Sequence, residues 1–200
     1  MLRPAINSTE DPPQPVEDLA MREYIFALRR RIEVQDCLVE ALSEEIKQLK
    51  ARYFRTMDTR DFEGMKQVFA KDIRFDFSEG FLFTPLDGAA VGSVGPVTVG
   101  RDAVMAWITH SMSGFTSVHH GHCHEVTIDS ETEAHGVIAM ADYIRAGDRT
   151  TRLIEATGHY WEKYRFEDGA WRIAETKLTR LFNDTHGGDA DHIVDAHATA

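Results

Sequence analysis

Apolar residues in the first third of the chain recur every three or four positions, which is the period of an α-helix. They are Met21, Ile25, Leu28 and Ile32, followed by Leu38, Leu42, Ile46, Leu49 and Tyr53. This pattern predicts one long helix from Val16, or two helices with a break between Val34 and Cys37. The capping residues that follow predict that the helical segment ends near Asp58.

Shorter elements are predicted after this segment. Residues 62–69 and 101–112 have helical spacing, and residues 74–77 alternate as a short strand. Between them, residues 78–100 contain glycines and prolines together with several apolar residues. A connection this long inside a compact domain is usually functional, so we expect it to form a flap over a pocket or a subunit contact.

The apolar period changes from 3.6 to 2 in the second half of the chain, which predicts four long strands. They cover residues 115–128, 134–145, 152–166 and 170–182, and short runs of turn-forming residues suited to hairpins separate them. Helices first and an antiparallel meander second predict an α+β domain in which the helices pack on one face of the sheet.

Composition places the chain among ordinary globular proteins of 200 residues and excludes some partners. The formal net charge of −11 disfavours binding to the nucleic-acid backbone. The sequence has two distant cysteines, no apolar stretch typical of a signal peptide and no run long enough for a membrane span. We therefore expect a cytoplasmic protein that binds neither nucleic acid nor membrane.

The predicted domain boundaries follow from the same patterns. Residues 1–15 hold four prolines among polar residues, and residues 185–200 are polar without a period, so both are predicted to be disordered tails. Residues 16–36 are predicted as a helical extension and residues 37–184 as the α+β domain.

Strand parity identifies Asp142 as a candidate for chemistry. It shares its parity with Ile138, Met140 and Ile144, so its carboxylate projects from the apolar face of its strand. A carboxylate there is costly unless it is hydrogen bonded or paired. Two interpretations follow: a structural aspartate at the rim of the sheet, or a pocket carboxylate that orients a histidine or exchanges protons with it.

Four histidines occur within six residues, at 119, 120, 122 and 124, in a segment predicted as a strand. An unbroken strand would place His120, His122 and His124 on the apolar side. A β-bulge at Gly121 would instead bring His119 to the face that later carries Val126 and Ile128.

Alternating histidines could also bind zinc or iron. His120, His122 and His124 alternate, and His159 is a candidate for a fourth ligand from another strand. A metal site is the less favoured interpretation, because the sequence contains no Cys-x-x-Cys pair and no acidic helix motif with histidine. We expect no metal and no organic cofactor.

Several motifs resemble the SnoaL-like branch of the superfamily named after nuclear transport factor two, over roughly residues 38–183. They are Lys50 to Phe62, Phe69 to Asp72, Gly100-Arg-Asp, Val118 to His122, Ala139 to Tyr143, and Asp168 to Ile173. The resemblance implies a cone-shaped, curved antiparallel sheet that encloses an apolar pocket, usually in a homodimer or homotrimer.

Within that branch the chain is similar to bile-acid 7α-dehydratases and, more distantly, to scytalone dehydratase. The resemblance implies Tyr53, Asp58, His119 and Asp142 as catalytic residues. We expect His119 to act as general base or acid with Asp142 orienting it, Asp58 to act as a second acid or base, and Tyr53 to donate a hydrogen bond. Tyr53 and Asp58 are about 140° apart on an ideal helix, so they are expected to converge only if the helix ends before Asp58. Arg180, Phe83, Trp107, His120 and His122 are the expected substrate-binding residues.

The expected function is a cofactor-independent lyase or isomerase that acts on a hydrophobic, hydroxylated and polycyclic molecule of the steroid or polyketide type. Removing water needs a base for an activated C–H proton and an acid for the departing hydroxyl. The alternative is a non-catalytic module of the same fold for ligand binding or assembly. Convergence of the four catalytic candidates on one buried cavity would favour the enzyme.

Overall fold

A computed structural model describes residues 16–86 and 88–186, with side chains from residue 19 onward. The predicted tails, residues 1–15 and 185–200, lie outside the described residues except for Thr185 and His186. The chain divides into two compact units, residues 1–40 and 41–200.

The first helix, α1, runs without interruption over Val16–Thr59. The prediction of one long helix is therefore confirmed, and the alternative break at residues 34–37 is wrong. In the first unit, every side chain from residue 19 to residue 40 is exposed. In the second unit, the remaining part of α1 buries Ile46, Leu49 and Tyr53 in the core.

Two short helices belong to the second unit. Helix α2 covers Phe62–Lys66, and Asp61 caps it by accepting a hydrogen bond from the Gly64 backbone N–H at 2.9 Å. It is shorter than predicted because the first strand already begins at Phe69. Helix α3 covers Arg101–Ser111 and buries Met105 and Ile108, among others.

Eight strands complete the unit, and the described residues place six of them in one sheet. The strands are β1 (Phe69–Asp76), β2 (Phe81–Phe83), β3 (Val91–Ser93), β4 (Val97–Val99), β5 (Phe115–Ile128), β6 (Glu133–Ala146), β7 (Arg152–Glu167) and β8 (Ala170–Thr185). The sheet order is β4-β1-β8-β7-β6-β5, and β2 and β3 form a separate ribbon. All neighbours are antiparallel except β1 and β8.

This arrangement is the α+β fold expected from the sequence, with helices packed on a curved, mostly antiparallel sheet. The segment predicted as a flap, residues 78–100, contains the β2–β3 ribbon and the edge strand β4. The core lies between the helices and one sheet face, where Ile138, Tyr160 and Ile173 are fully or almost fully buried. Within the described residues, no helix is both long enough and apolar enough to cross a membrane.

Candidate active site

A β-bulge in β5 determines which histidine faces the interior. Gly121 lies opposite Met140 of β6, whereas His124 lies opposite Ile138, so three steps along β5 match two steps along β6. The extra residue reverses the inward and outward parity of the strand. Before the bulge His119 points inward, and after it His124 does so. The predicted bulge near Gly121 is confirmed.

His119 is held by a carboxylate from α1. Its Nδ1 atom lies 2.6 Å from Asp58 Oδ1, and its backbone N–H donates to Asp58 Oδ2 at 2.8 Å. Ser117 Oγ donates to Asp58 Oδ1 at 2.9 Å, and the Phe54 ring stacks on the imidazole with centroids 5.9 Å apart. These contacts engage Nδ1 and leave Nε2 as the nitrogen that can meet a ligand.

The expected pairing of Asp142 with His119 is therefore wrong, because the carboxylate that orients His119 is Asp58. The condition that α1 ends before Asp58 is also not met, since the helix continues to Thr59. The 140° separation along the helix sends the two side chains in different directions. Tyr53 points into the core, and Asp58 approaches His119 from the side of β5.

Asp142 has a different partner on β8. Its Oδ2 atom lies 2.8 Å from Arg180 Nη2, and both side chains are less than 5% exposed. Arg180 Nε donates to the Gly80 carbonyl at 2.8 Å, which links this ion pair to the start of the β2–β3 segment. Among the described residues no group donates to Asp142 Oδ1, although that atom is buried. A ligand hydroxyl could therefore donate to it.

Two tyrosines stand beside this ion pair. The rings of Tyr53 and Tyr160 are 5.8 Å apart in an edge-to-face arrangement. Burial raises the pKa of both phenols well above the usual value of 10. Both remain protonated at neutral pH and are able to donate a hydrogen bond.

A buried ion pair lies behind the tyrosines. Lys50 Nζ is 2.7 Å from Glu162 Oε1, and neither side chain is exposed. The ammonium also lies 3.4 Å from the centroid of the Tyr160 ring and 4.1 Å from that of Tyr53, within cation–π distance. Glu162 accepts further hydrogen bonds from Tyr164 and Thr176. Burial lowers the pKa of Lys50 to about 8, because desolvation outweighs the attraction of Glu162.

These groups surround one mostly apolar pocket of the second unit. Its cavity volume is about 60 Å³, which is below the roughly 300–1,000 Å³ that is common for small-molecule sites. The lining side chains are Tyr53, Met57, Phe75, Phe77, Phe81, Trp107, Ile108, Ser111, Met112, His119, Asp142, Ile144, Ile154, Tyr160, Leu178, Arg180 and Asn183.

Five residues expected at the site line this pocket: Tyr53, Trp107, His119, Asp142 and Arg180. Asp58 reaches the site through His119. The described lining does not include the other three expected residues, Phe83, His120 and His122.

Each of these exclusions has a geometric reason. His120 and His122 are exposed, because His120 has the parity opposite to His119 and the bulge keeps His122 outside. The ring of His120 instead packs edge-to-face on Tyr143 at 5.9 Å. Phe83 lies further along the ribbon, and Phe81 occupies the pocket wall against Phe77.

Sequence reasoning missed Lys50, Tyr160 and Glu162, although their positions carried a signal. Lys50 is four residues after Ile46 and three before Tyr53, which places it on the buried face of α1. Tyr160 and Glu162 share the inward parity of β7 with Tyr164. A lysine and a glutamate on two apolar faces predict a buried ion pair.

Among the described residues, no group of three or more histidine, cysteine, aspartate or glutamate side chains is arranged to hold a metal ion. His120 and His122 lie on the exposed side of β5, and His119 is engaged by Asp58. The histidine cluster is thus divided between two faces of the sheet.

The family profile of the SnoaL-like domain matches residues 41–177, which is more than half of the chain. The chain belongs to the SnoaL-like family. The match begins where the second compact unit begins, so it includes the last part of α1 and every pocket-lining residue except Leu178, Arg180 and Asn183.

Solved structures with this fold agree with the family assignment. A candidate scytalone dehydratase from Novosphingobium aromaticivorans is 19% identical, with a TM-score of 0.58 over 74% of this chain and 89% of that chain. A type 3 hexachlorocyclohexane dehydrochlorinase from Novosphingobium barchaimii is 13% identical, with a TM-score of 0.56 over 74% and 92%. A protein from Kribbella flavida is 21% identical, with a TM-score of 0.61 over 78% and 98%. At these identities the similarity concerns the SnoaL-like fold.

Proposed function

We propose that this SnoaL-like protein is a cofactor-independent lyase or isomerase that acts by acid–base chemistry on a hydrophobic, hydroxylated and polycyclic substrate. The observation that carries the proposal is the contact of 2.6 Å between Asp58 and His119 at the wall of an apolar pocket. A carboxylate that fixes Nδ1 of an imidazole leaves Nε2 free to act as the base. Two structural relatives, a candidate dehydratase and a dehydrochlorinase, carry names that denote elimination reactions.

The elimination step is assigned to His119. Its Nε2 atom takes a proton from a carbon made acidic by a neighbouring carbonyl, and the electrons of that C–H bond form a double bond as the hydroxyl leaves. The resulting imidazolium, stabilised by Asp58, returns the proton to the hydroxyl, which departs as water. Return of the proton to a different carbon gives double-bond isomerisation by the same groups.

The remaining polar groups orient the substrate. Tyr53 and Tyr160 are protonated donors for the substrate carbonyl, where negative charge develops in an enolate-like transition state. The buried Oδ1 of Asp142 accepts a hydrogen bond from a substrate hydroxyl, while Arg180 balances its charge. The aromatic and aliphatic character of the pocket wall supports an apolar substrate body with few polar groups.

Mass spectrometry of small molecules that copurify with the protein tests the proposal first. Compounds found there, together with a panel of hydroxy-enone steroids and polyketides, are then incubated with the protein. Dehydration lowers the substrate mass by one water, whereas isomerisation leaves it unchanged and shifts the ultraviolet spectrum.

The matched variants are His119→Gln and His122→Gln, which remove one histidine from each face of the same strand. We expect His119→Gln to lower turnover about 10²- to 10⁴-fold and His122→Gln to leave it unchanged. Full turnover by His119→Gln would overturn the proposal. A ligand that binds tightly but is recovered chemically unchanged would favour the alternative of a non-catalytic binding module.

A further inference from the structure

The first unit exposes an unusual amount of apolar surface on its helix. Ten large apolar side chains between residues 19 and 39 are exposed: Leu19, Met21, Tyr24, Ile25, Phe26, Leu28, Ile32, Val34, Leu38 and Val39. Each of these side chains is at least 38% accessible. A large contiguous apolar patch on the surface of a monomeric protein usually marks an interaction site. Helices in proteins also draw most of their stability from packing of an apolar face, so this one requires a partner.

The pattern on this helix has a period of seven residues. Met21, Ile25, Leu28, Ile32, Gln35 and Val39 follow one another at alternating steps of four and three. A strict repeat of seven is the signature of a seam between two supercoiled helices. We call these six residues the seam. Gln35 is its one polar member, and polar seam residues favour one pairing over others.

The charges on the helix identify the partner. Residues 19–31 contain four arginines and one glutamate, a formal charge of +3, and residues 32–40 contain two glutamates and one aspartate, a charge of −3. A second copy of the same helix running antiparallel places the basic half of each copy beside the acidic half of the other. The net charge of zero over residues 19–40 argues against an anionic lipid surface, which attracts basic amphipathic helices.

We propose that residues 19–40 form an antiparallel two-helix interface with a second copy of this chain, closed along the seam. The interface is isologous, because the same surface is used by both copies. It lies in the unit before the SnoaL-like domain and is independent of the function proposed for the pocket.

Sedimentation equilibrium of the full chain tests the seam. The variant Ile25→Lys/Ile32→Lys places two ammonium groups in the seam, and Phe26→Lys/Val34→Lys places them at exposed apolar positions of the same helix outside it. We expect the seam variant to weaken association at least about 100-fold and to halve the observed mass, with the control unchanged. Equal masses for all three proteins, each with an unaltered circular dichroism spectrum, would overturn the proposal.

Charge exchange tests the orientation. Replacing Arg29, Arg30 and Arg31 with glutamate makes both halves acidic and should weaken the antiparallel pair about tenfold or more at low salt. Adding Glu33→Lys, Asp36→Lys and Glu40→Lys to the same chain should restore association. An unchanged mass after the first exchange would refute the antiparallel order.

A lipid surface is the alternative partner of this helix. If the wild type is monomeric and cosediments with phosphatidylglycerol vesicles, and the seam variant does not cosediment, the partner is a lipid surface and not a second copy.

Discussion

Arg180 Nη2 lies 2.8 Å from Asp142 Oδ2 in the pocket wall, and both side chains are almost fully buried. Removing one member of a buried ion pair leaves an uncompensated charge and costs about 3–5 kcal/mol. We therefore expect Arg180→Met to destabilise the protein by that amount in urea unfolding. Adding Asp142→Leu should recover most of the loss, because the remaining charge is then removed as well.

The exposed pair Lys163–Glu175 provides the control for this comparison, since Lys163 is 69% accessible. Lys163→Met should change the free energy of unfolding by less than about 1 kcal/mol. Equal effects of Arg180→Met and Lys163→Met would contradict the assignment of Arg180 and Asp142 as a buried pair.

The contact between Asp58 and His119 predicts a loss of activity without a loss of fold. Asp58→Asn keeps the size of the side chain but no longer stabilises the imidazolium, so turnover should fall about 10²- to 10⁴-fold. Ser117→Ala removes a different hydrogen bond to the same carboxylate and should lower turnover less than about tenfold. Nitrogen NMR of the imidazole should report a changed tautomer population in Asp58→Asn alone.

Gly121 couples the bulge to the site through Phe54. A methyl group at Gly121 would lie 2.5 Å from Phe54 Cε2, and the Phe54 ring stacks on His119. We expect Gly121→Ala to displace the rings of Phe54 and His119. Turnover should fall, whereas the free energy of unfolding should change little. Gly88→Ala is the control, because its new methyl group would meet only ordinary contacts with Pro85 at 3.6 Å. Wild-type turnover in Gly121→Ala would show that the Phe54 ring does not position His119.

Lys50 predicts a rise in stability on the alkaline side of neutrality. Burial lowers its pKa from 10.5 to about 8, so between these values the unfolded chain binds more protons than the folded one. The free energy of unfolding rises with pH wherever the unfolded chain binds more protons than the folded chain. Relative to Lys50→Met/Glu162→Gln, the wild type should gain about 2 kcal/mol between pH 8 and 9.5, measured by urea unfolding. A flat difference would contradict the lowered pKa.

The buried tyrosines predict the opposite trend above pH 10. Burial raises the pKa of Tyr53, Tyr160 and Tyr164 above the value of an unfolded chain. Their contribution to stability is complete below pH 10 and is lost as the pH rises further, because unfolding then releases protons. Tyr160→Phe should reduce this alkaline loss, which absorbance at 295 nm can follow as the phenols ionise.

The long helix and the four long strands followed from local pattern, because the apolar period reports which face of a helix or strand is buried. The short strands β2, β3 and β4 did not follow from it. The bulge was also predicted from local pattern. Gly121 lies between residues whose inward and outward alternation does not match, and a glycine can accommodate the extra residue of a bulge. The pairing of His119 could not be found so simply. It depends on where the end of α1 lies relative to β5, which is a tertiary relationship that neither segment encodes alone.

The partner of Asp142 could not be predicted from the sequence pattern either. Parity placed its carboxylate in the interior, and the structure agrees, since it is 2% exposed. Parity cannot identify the partner, because His119 faces Asp142 across one pair of strands while Arg180 reaches it from β8, two strands away. In the structure Arg180 of β8 pairs with Asp142, and Asp58 of α1 contacts His119.

The buried oxygens of the pocket have a consequence for selectivity. Among the described residues, Ser111 Oγ, Asp142 Oδ1 and Asn183 Oδ1 lack a hydrogen-bond partner, and all three residues line the pocket. A hydrocarbon of suitable shape would seal these atoms away from water without satisfying them. A site built to hydrogen-bond its ligand can reject an analogue that lacks the matching groups by about 10⁴-fold or more. We therefore expect the pocket to bind oxygenated ligands in preference to plain hydrocarbons of the same shape.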